Sequence, residues 1–242
     1  MTSWAFLLMC ATLPSQPGEQ ANQFGYLWQP AFCVDTVRRG PALAYEPRDG
    51  DLVVFNTAER LWKMSYFLAL SAPPTHSGVV FRTPDGSLAL LESGIGFNLR
   101  VEVSPLAARL AEYPGDVYVR CRKTPLTKDE SARLTDFALA VYKKKVPPIR
   151  FVAQVTPFRM RGPVRTEFIG YPHGVRRGYT CSELAVETIV AAGLLDAEVA
   201  RPAATYPRDL FFDHSCNPYL NRHFCPAISA AWDPPALWTC QK

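Results

Sequence analysis

The chain has 242 residues, of which 48% are hydrophobic, so it is long and apolar enough to bury the core of one ordinary domain. Its formal net charge of +4 is mild, and its Lys and Arg residues are scattered. No basic stripe interleaved with aromatic residues is present, so nucleic acid is not an expected partner. No stretch is long and apolar enough to predict an integral membrane span.

The first forty residues are predicted to form an apolar N-terminal segment followed by a linker arm. Residues 4–13 resemble the apolar core of a signal peptide, although the first basic residue, Arg38, lies well after it. We therefore expect a secreted, periplasmic or cell-envelope protein. The alternative is a cytoplasmic protein whose N-terminal segment packs on the domain. Residues 14–40 are polar and contain Pro and Gly, which is typical of a linker or a wrapping arm.

Short apolar runs separated by turn residues predict a small antiparallel sheet. The predicted strands span residues 52–55, 77–82, 88–92, 99–103 and 117–121. The sequence TPDGS at residues 83–87 predicts a tight hairpin between the second and third strands, because Pro presets one dihedral angle and Gly accepts a positive φ.

Capping signals predict where the helices begin. Ser104 before Pro105 favours a helix start with Pro at the first helical position. Thr127 and Glu130 form a capping box before a helix through about residue 144. Thr180 is the predicted N-cap of a helix over residues 181–192. Residues 61–70 are a helix or irregular core, 206–212 form a helical turn, and the irregular stretch 146–179 is predicted to be an active-site flap.

Cys181, at the predicted start of a helix, is the candidate nucleophile. A helix N-terminus and a nearby imidazole both lower the pKa of a thiol, and the thiolate is the reactive form. His76 follows Pro73-Pro74 at the start of a predicted strand and is the candidate partner. A buried, unreactive cysteine is the alternative interpretation.

Glu92 is the candidate that orients the histidine. Pairing across the predicted hairpin places His76 opposite a residue between about 92 and 95, so the Glu92 carboxylate comes near the imidazole. His173, eight residues before the cysteine, is the alternative third member of the site.

These segments resemble a known family when taken together. The sequences GDLVVF at 50–55 and HSGVV at 76–80 resemble the "GDLVFF … HVGIY" pair of NlpC-type papain-like amidases. The cysteine motif YTCSEL at 179–184 follows these strands, and this order is similar to the circularly permuted YaeF/YiiX-like branch, as is the PRDL turn at 207–210. Ser77 stands where Val is usual, and Thr180 where Tyr is usual.

The resemblance covers roughly residues 45–213 and implies an α+β, papain-like, circularly permuted NlpC-type fold, with a small antiparallel sheet packed on the cysteine-bearing helix. It implies that Cys181 is the nucleophile, His76 the base and Glu92 the orienting residue, with no cofactor and no catalytic metal. The expected organisation is an N-terminal segment and arm over residues 1–40, a hydrolase domain over 41–213 and a Cys- and Pro-rich extension over 214–242.

We therefore expect a thiol hydrolase that cleaves an amide through a thioester acyl-enzyme, as an amidase or peptidase acting on a small peptide-like substrate. One alternative is a lipid acyl hydrolase or acyltransferase on the same triad. A second is a non-catalytic binding module with a metal site in the tail. The sequence does not predict the oligomeric state.

Two groups of residues bear on these alternatives. For lipid chemistry, the apolar groove would be lined by Trp62, Tyr66, Phe67 and Leu68. The four potential tail ligands are His214, Cys216, His223 and Cys225. Their spacing does not match the common zinc patterns, so a disulfide between the two cysteines, or free packed thiols, is expected instead.

Overall fold

The computed structural model of the protein describes residues 23–68, 72–94, 99–147 and 173–242. Within these residues, one sheet of eight antiparallel strands has the order β2-β1-β8-β7-β3-β4-β5-β6. The strands are β1 (Tyr26–Trp28), β2 (Ala42–Ala44), β3 (Leu52–Asn56), β4 (His76–Arg82), β5 (Leu88–Gly94), β6 (Arg100–Pro105), β7 (Asp116–Arg120) and β8 (Ala236–Thr239).

Helices cover both faces of this sheet, so the chain is an α+β protein. They are α1 (Arg60–Leu68), α2 (Leu106–Glu112), α3 (Lys128–Val141), α4 (Cys181–Ala191), α5 (Pro207–Phe211) and α6 (Cys225–Ala231), with a 3₁₀ turn at Pro202–Ala204 and a π-helical turn at Leu220–Phe224. None of the described helices is long and apolar enough to cross a membrane.

Strand β3 shows why both faces are covered, because all five of its residues are buried. Leu52 and Val54 pack in the core beneath α4 and α3. Val53 and Phe55 point the other way, into a second core that contains residues of α2. A strand covered on both sides is apolar at every position, whereas a half-exposed strand alternates.

The predicted hairpin is confirmed. Strands β4 and β5 pair from Arg82 with Leu88 back to Gly78 with Glu92. The turn closes through the Thr83 backbone N–H, which donates to the Ser87 carbonyl at 2.9 Å, and Gly86 has a φ of +87°. This hairpin aligns the sequence-predicted His76 and Glu92 on neighbouring strands.

Two helix boundaries differ from the prediction. Ser104 and Pro105 belong to β6, paired with Leu90 and Ala89, so α2 begins one residue after the proline. Cross-strand pairing overrides the local capping signal there. The capping box of α3 is present as predicted, but the helix ends at Val141, because the backbone turns back and the Lys143 N–H donates to a carbonyl of β6.

The N-terminal arm and the C-terminal tail are more ordered than predicted. β1 comes from the arm, and β8, from the tail, lies between β1 and β7 inside the sheet. The tail, predicted only as a Cys- and Pro-rich extension, supplies α6 and β8. Three- and four-residue strands have too few positions to show a period. The apolar segment 4–13 and residues 148–172 of the predicted flap lie outside the described residues.

Candidate active site

Cys181 is the first residue of α4, as the capping signal predicts. Thr180 precedes it in an extended conformation, and its backbone N–H donates to the Glu183 carboxylate at 3.0 Å. The helix packs on β4 and β5 and is buried along almost its whole length. The thiol therefore lies at the positive end of a helix dipole, in a largely dry environment, with Cys181 9% exposed.

His76 is the first residue of β4 and joins the thiol to a carboxylate. Its imidazole forms a hydrogen bond with the Cys181 side chain. Its Nε2 lies 2.8 Å from Oε2 of Glu92. The ring packs against Phe55, with centroids 5.5 Å apart, and its side chain is 17% exposed.

Glu92 reaches His76 diagonally across the hairpin. Its direct partner in the sheet is Gly78, two residues along β4 from the histidine and on the same face. Because Gly78 has no side chain, nothing from that position separates the carboxylate from the imidazole. A Cβ at Gly78 would lie only 2.9 Å from the Leu91 carbonyl oxygen.

A residue that the sequence analysis did not identify completes the cluster. Arg109, on α2, holds both oxygens of Glu92, with Nε 2.5 Å from Oε1 and Nη2 3.1 Å from Oε2. The guanidinium lies 5.0 Å from the ring centre of Phe55 and 5.1 Å from that of Tyr113. A single arginine on a short helix is ordinarily a solvated charge, so the sequence contained no signal for this role.

The interactions within the site favour the ionised forms of Cys181, His76 and Glu92. Burial alone would raise the pKa of the Cys181 thiol, but His76 and the backbone N–H groups of Ser77 and Ser182 outweigh burial and lower it. Burial opposes the charge on His76, yet its hydrogen bonds to the thiol and to Glu92 raise the pKa of the imidazole to about 9. Although burial disfavours the charged carboxylate, His76 and Arg109 lower the pKa of Glu92.

Tyr66 on α1 contacts the Cys181 thiol, and the sequence analysis did not predict this contact. It is buried, and its hydroxyl forms a hydrogen bond with Cys181. Burial, together with the nearby thiol, raises the pKa of Tyr66 well above its ordinary value, so the phenol is a neutral donor. Of the other groove residues, Phe67 is 71% exposed, and the side chains of Trp62 and Leu68 lie outside the described set.

His173, the alternative third residue, lies elsewhere. Its Nδ1 is 3.2 Å from the Glu187 carboxylate and its Nε2 is 3.0 Å from the Ala197 carbonyl oxygen. Arg176 also binds Glu187, at 2.6 Å. The structure therefore brings Glu92, and not His173, to His76. His173 and Arg176 instead bind Glu187 and so connect the segment before Cys181 to the middle of α4.

The four tail residues do not converge. Cys216 is exposed and Cys225 is buried, and both are free thiols. The rings of His214 and His223 pack on Phe212 and Tyr219, respectively. Over residues 23–68, 72–94, 99–147 and 173–242, no group of three or more His, Cys, Asp or Glu side chains is arranged to hold a metal ion.

No protein-family model matches this chain, and no curated protein sequence matches it. Among solved structures, it is similar to the crystal structure of the metalloprotein YiiX from Escherichia coli O157:H7, with a TM-score of 0.43 and 16% sequence identity. The similarity covers 61% of this chain and 67% of that one. Because the likeness is this distant, the function has to be inferred from the side chains at the site.

Proposed function

We propose that the protein is a cysteine hydrolase of the papain-like, circularly permuted NlpC type, acting as an amidase or peptidase through Cys181, His76 and Glu92. The observation that carries the proposal is the continuous hydrogen-bonded chain from thiol to imidazole to buried carboxylate at a helix N-terminus. This is the arrangement that nucleophilic catalysis by a thiol requires.

In the proposed first step, the Cys181 sulfur attacks the substrate carbonyl carbon as a thiolate. The thiol proton already resides on His76 in the ion pair, so no separate deprotonation is needed. The backbone N–H groups of Ser77 and Ser182 donate to the sulfur and stabilise its charge before attack.

The attack forms a carbon–sulfur bond and moves the carbonyl electron pair onto oxygen. The backbone N–H of Cys181, at the helix start, is one candidate donor to this oxyanion. The Tyr66 hydroxyl is a candidate second donor, because it is neutral and already forms a hydrogen bond at the sulfur.

His76 then gives its proton to the leaving amine, and the carbon–nitrogen bond breaks to leave a thioester on Cys181. A water molecule attacks the thioester carbon while His76 takes its proton, the carbon–sulfur bond breaks, the carboxylic acid leaves, and the thiolate–imidazolium pair is restored. Glu92 holds the imidazole and stabilises its positive charge in both halves of the cycle, without itself taking the proton.

A lipid acyl ester is a second candidate substrate for the same residues. One specific observation favours it: large apolar side chains are exposed on α1, the helix that brings Tyr66 to the nucleophile. The chemistry would be the same, with an alcohol leaving instead of an amine.

Competitive alkylation tests the proposal and separates an enzyme from a binding module. The folded protein is treated with limiting iodoacetamide at neutral pH, and labelled peptides are quantified by mass spectrometry. Cys181 should react faster than the exposed Cys216, although it is far less accessible, because only Cys181 has a stabilised thiolate. The His76→Ala variant should lose this advantage. Faster labelling of Cys216 than of Cys181 in the wild type would refute the hydrolase.

A further inference from the structure

Helix α1 carries large apolar side chains that are exposed. Leu61, Met64 and Phe67 are spaced at three-residue intervals and are 81%, 60% and 71% exposed. Residues three apart lie on one side of a helix, so the three side chains form one surface, here called the α1 face. Exposed apolar surface of this kind, with several large side chains together, usually marks a contact site.

The α1 face does not line the path to the nucleophile. Tyr66 on the same helix is buried and touches Cys181. Met64 and Tyr66 are two residues apart, which separates their directions by about 200° around the helix axis. The α1 face is therefore directed away from the thiol, as a surface that meets an external apolar medium would be.

The charged residues beside the α1 face indicate which kind of apolar surface it would contact. Arg60 is exposed and Lys63 is half-buried on the same nine-residue helix, and Glu59, just before it, is the acidic neighbour. The described helix itself contains two basic residues and no acidic one. Apolar side chains flanked by Arg and Lys are the composition of helices that lie in the interface of an anionic bilayer, with the long basic side chains reaching the headgroups.

We propose that the α1 face docks the protein on the surface of an anionic lipid bilayer. The three apolar side chains enter the headgroup region, and Arg60 and Lys63 contact lipid phosphates. Docking does not depend on catalysis. If the proposed hydrolase is correct, docking keeps the enzyme at the membrane surface, and the substrates are acyl lipids or peptides held at that surface.

Vesicle sedimentation tests the docking with the full chain. We compare phosphatidylcholine vesicles with vesicles containing about 30% phosphatidylglycerol, since each basic residue near an anionic surface favours binding. The wild type should sediment with the anionic vesicles. A variant carrying Leu61→Ser, Met64→Gln and Phe67→Ser should bind at least about tenfold less, because its apolar contact is lost. Arg60→Gln with Lys63→Gln should reduce binding to the anionic vesicles specifically.

A matched control uses an apolar patch elsewhere on the surface. Phe32, Val37 and Leu43 are 70%, 52% and 50% exposed, and their replacement by Ser should leave vesicle binding unchanged. Circular dichroism verifies folding of each variant. Absence of wild-type binding, or equal binding by the α1 variant, would overturn the proposal. So would a lipid-free dimer that the α1 substitutions dissociate, since a second copy of the chain would then cover the face.

An independent observation concerns Arg109. The Glu92 side chain is 0% exposed, and the guanidinium of Arg109 engages both of its oxygens, while His76 shares one of them. Phe55 and Tyr113 hold the guanidinium in place by stacking. A planar two-point contact of this kind determines the orientation of a carboxylate as well as its charge.

We infer that Arg109 is a positioning residue of the proposed hydrolase: it keeps Glu92 ionised and aimed at His76, so that the thiolate–imidazolium pair persists as the pH falls. Without Arg109, His76 alone would oppose the burial that favours the protonated carboxyl of Glu92. The other charged or titratable groups near Glu92 are Tyr113, and Glu102 on β6, directly across the sheet and neutralised by Lys143 at 2.6 Å. Neither of these is a cation at Glu92, whose two basic partners among the described residues are Arg109 and His76.

The pH dependence of Cys181 alkylation tests this role without a substrate. Removing the cation in Arg109→Met should move the acid limb of the alkylation rate upward by about one pH unit or more, since a charge partner within contact distance shifts a carboxyl by that order. Arg109→Lys retains the charge but not the two-point contact, so it should keep the limb nearer its wild-type position and lower turnover. Arg122→Met, which removes a guanidinium stacked on Trp232, is the control for losing a packed arginine.

The outcomes separate the two proposals. If wild-type Cys181 is unreactive, the hydrolase proposal fails. If it is reactive and folded Arg109→Met has an unchanged acid limb, only the role of Arg109 fails. Should the methionine variant not fold, turnover of Arg109→Lys decides, since activity equal to the wild type would show that the two-point contact is unnecessary.

Discussion

Two fully buried carboxylates, Glu92 on β5 and Asp51 just before β3, have different partners. Glu92 contacts two basic side chains. Asp51 immediately precedes β3 and contacts neutral donors only. These donors are the Tyr45 hydroxyl at 3.0 Å, the Arg48 backbone N–H at 2.9 Å and the Arg122 backbone N–H at 2.7 Å.

The difference in partners separates a chemical role from a structural one. Burial raises the pKa of Asp51 to about 7, because its neutral donors and the nearby charge of Arg48 only partly offset the loss of water. At Glu92 the same burial is outweighed by His76 and Arg109, and the pKa of that carboxyl is lowered. Basic partners keep a buried carboxylate charged and able to stabilise an imidazolium. Asp51 accepts hydrogen bonds from neutral donors and so links the start of β3 to the end of β7.

The largest expected effect is at the nucleophile beside Glu92. Cys181→Ala should reduce hydrolysis of a model amide or ester by at least about 10⁴-fold, since no other side chain there can form the acyl intermediate. The midpoint of thermal unfolding should change little, because the substitution removes one small side chain. Measurable turnover by the purified alanine variant would show that the chemistry lies elsewhere.

The next effect concerns Glu92 itself. Glu92→Gln should lower turnover by about 10- to 1000-fold, because glutamine can hold the imidazole but cannot stabilise its positive charge. Glu102→Gln, at the neighbouring position on β6, is the matched control and should retain activity. Full activity of folded Glu92→Gln would contradict the proposed role. Loss of activity in His173→Gln with retained folding would point to the alternative residue.

Replacing Asp51 should lower the stability and leave the activity unchanged, which is the reverse of the effect expected at Glu92. Asp51→Asn should lower the free energy of unfolding by about 1–3 kcal/mol, because an amide group turned toward these donors leaves at least one of them unpaired. Turnover per folded molecule should stay at the wild-type level. Urea unfolding and active-site titration measure the two quantities separately. Unchanged stability, or a catalytic defect in fully folded protein, would break the contrast with Glu92.

A further effect is a dependence of stability on pH. Asp51 has a higher pKa in the folded protein, about 7, than in the unfolded chain, so between these values the folded state binds the extra proton. Its contribution to the free energy of unfolding therefore falls as the pH rises from about 4 to 7, by at most about 1.4 kcal/mol per pH unit. Urea titrations at several pH values should show this slope in the wild type and not in Asp51→Asn. Equal slopes would refute the assignment.

The parts of the fold that could be predicted from the sequence are those set by neighbouring residues. The turn at residues 83–87 depends on Pro84 and Gly86 within it, and it brings Glu92 near His76 at the opposite end of the hairpin. The position of Cys181 at a helix start depends on Thr180 and Glu183 beside it. These interactions span three or four residues, so local sequence patterns describe them well.

Interactions between distant segments could not be predicted in this way. Strands β1 and β8 exist because 26–28 and 236–239, more than two hundred residues apart, pair with each other, and neither has a period of its own. Tyr66 and Arg109 resemble an ordinary core aromatic and an ordinary surface cation in the sequence. Their contacts with Cys181 and Glu92 depend on how α1 and α2 pack beside the sheet.

The sequence by itself determined the types of reactive group and the local elements that present them: a thiol at a helix start, an imidazole at a strand start and a carboxylate across a hairpin. Tertiary structure alone decided which charges surround those groups. Ionisation depends on burial and on partners brought together by packing. Glu92 is held charged by His76 and by Arg109, seventeen residues away, whereas Asp51, equally buried, contacts neutral donors and has a raised pKa.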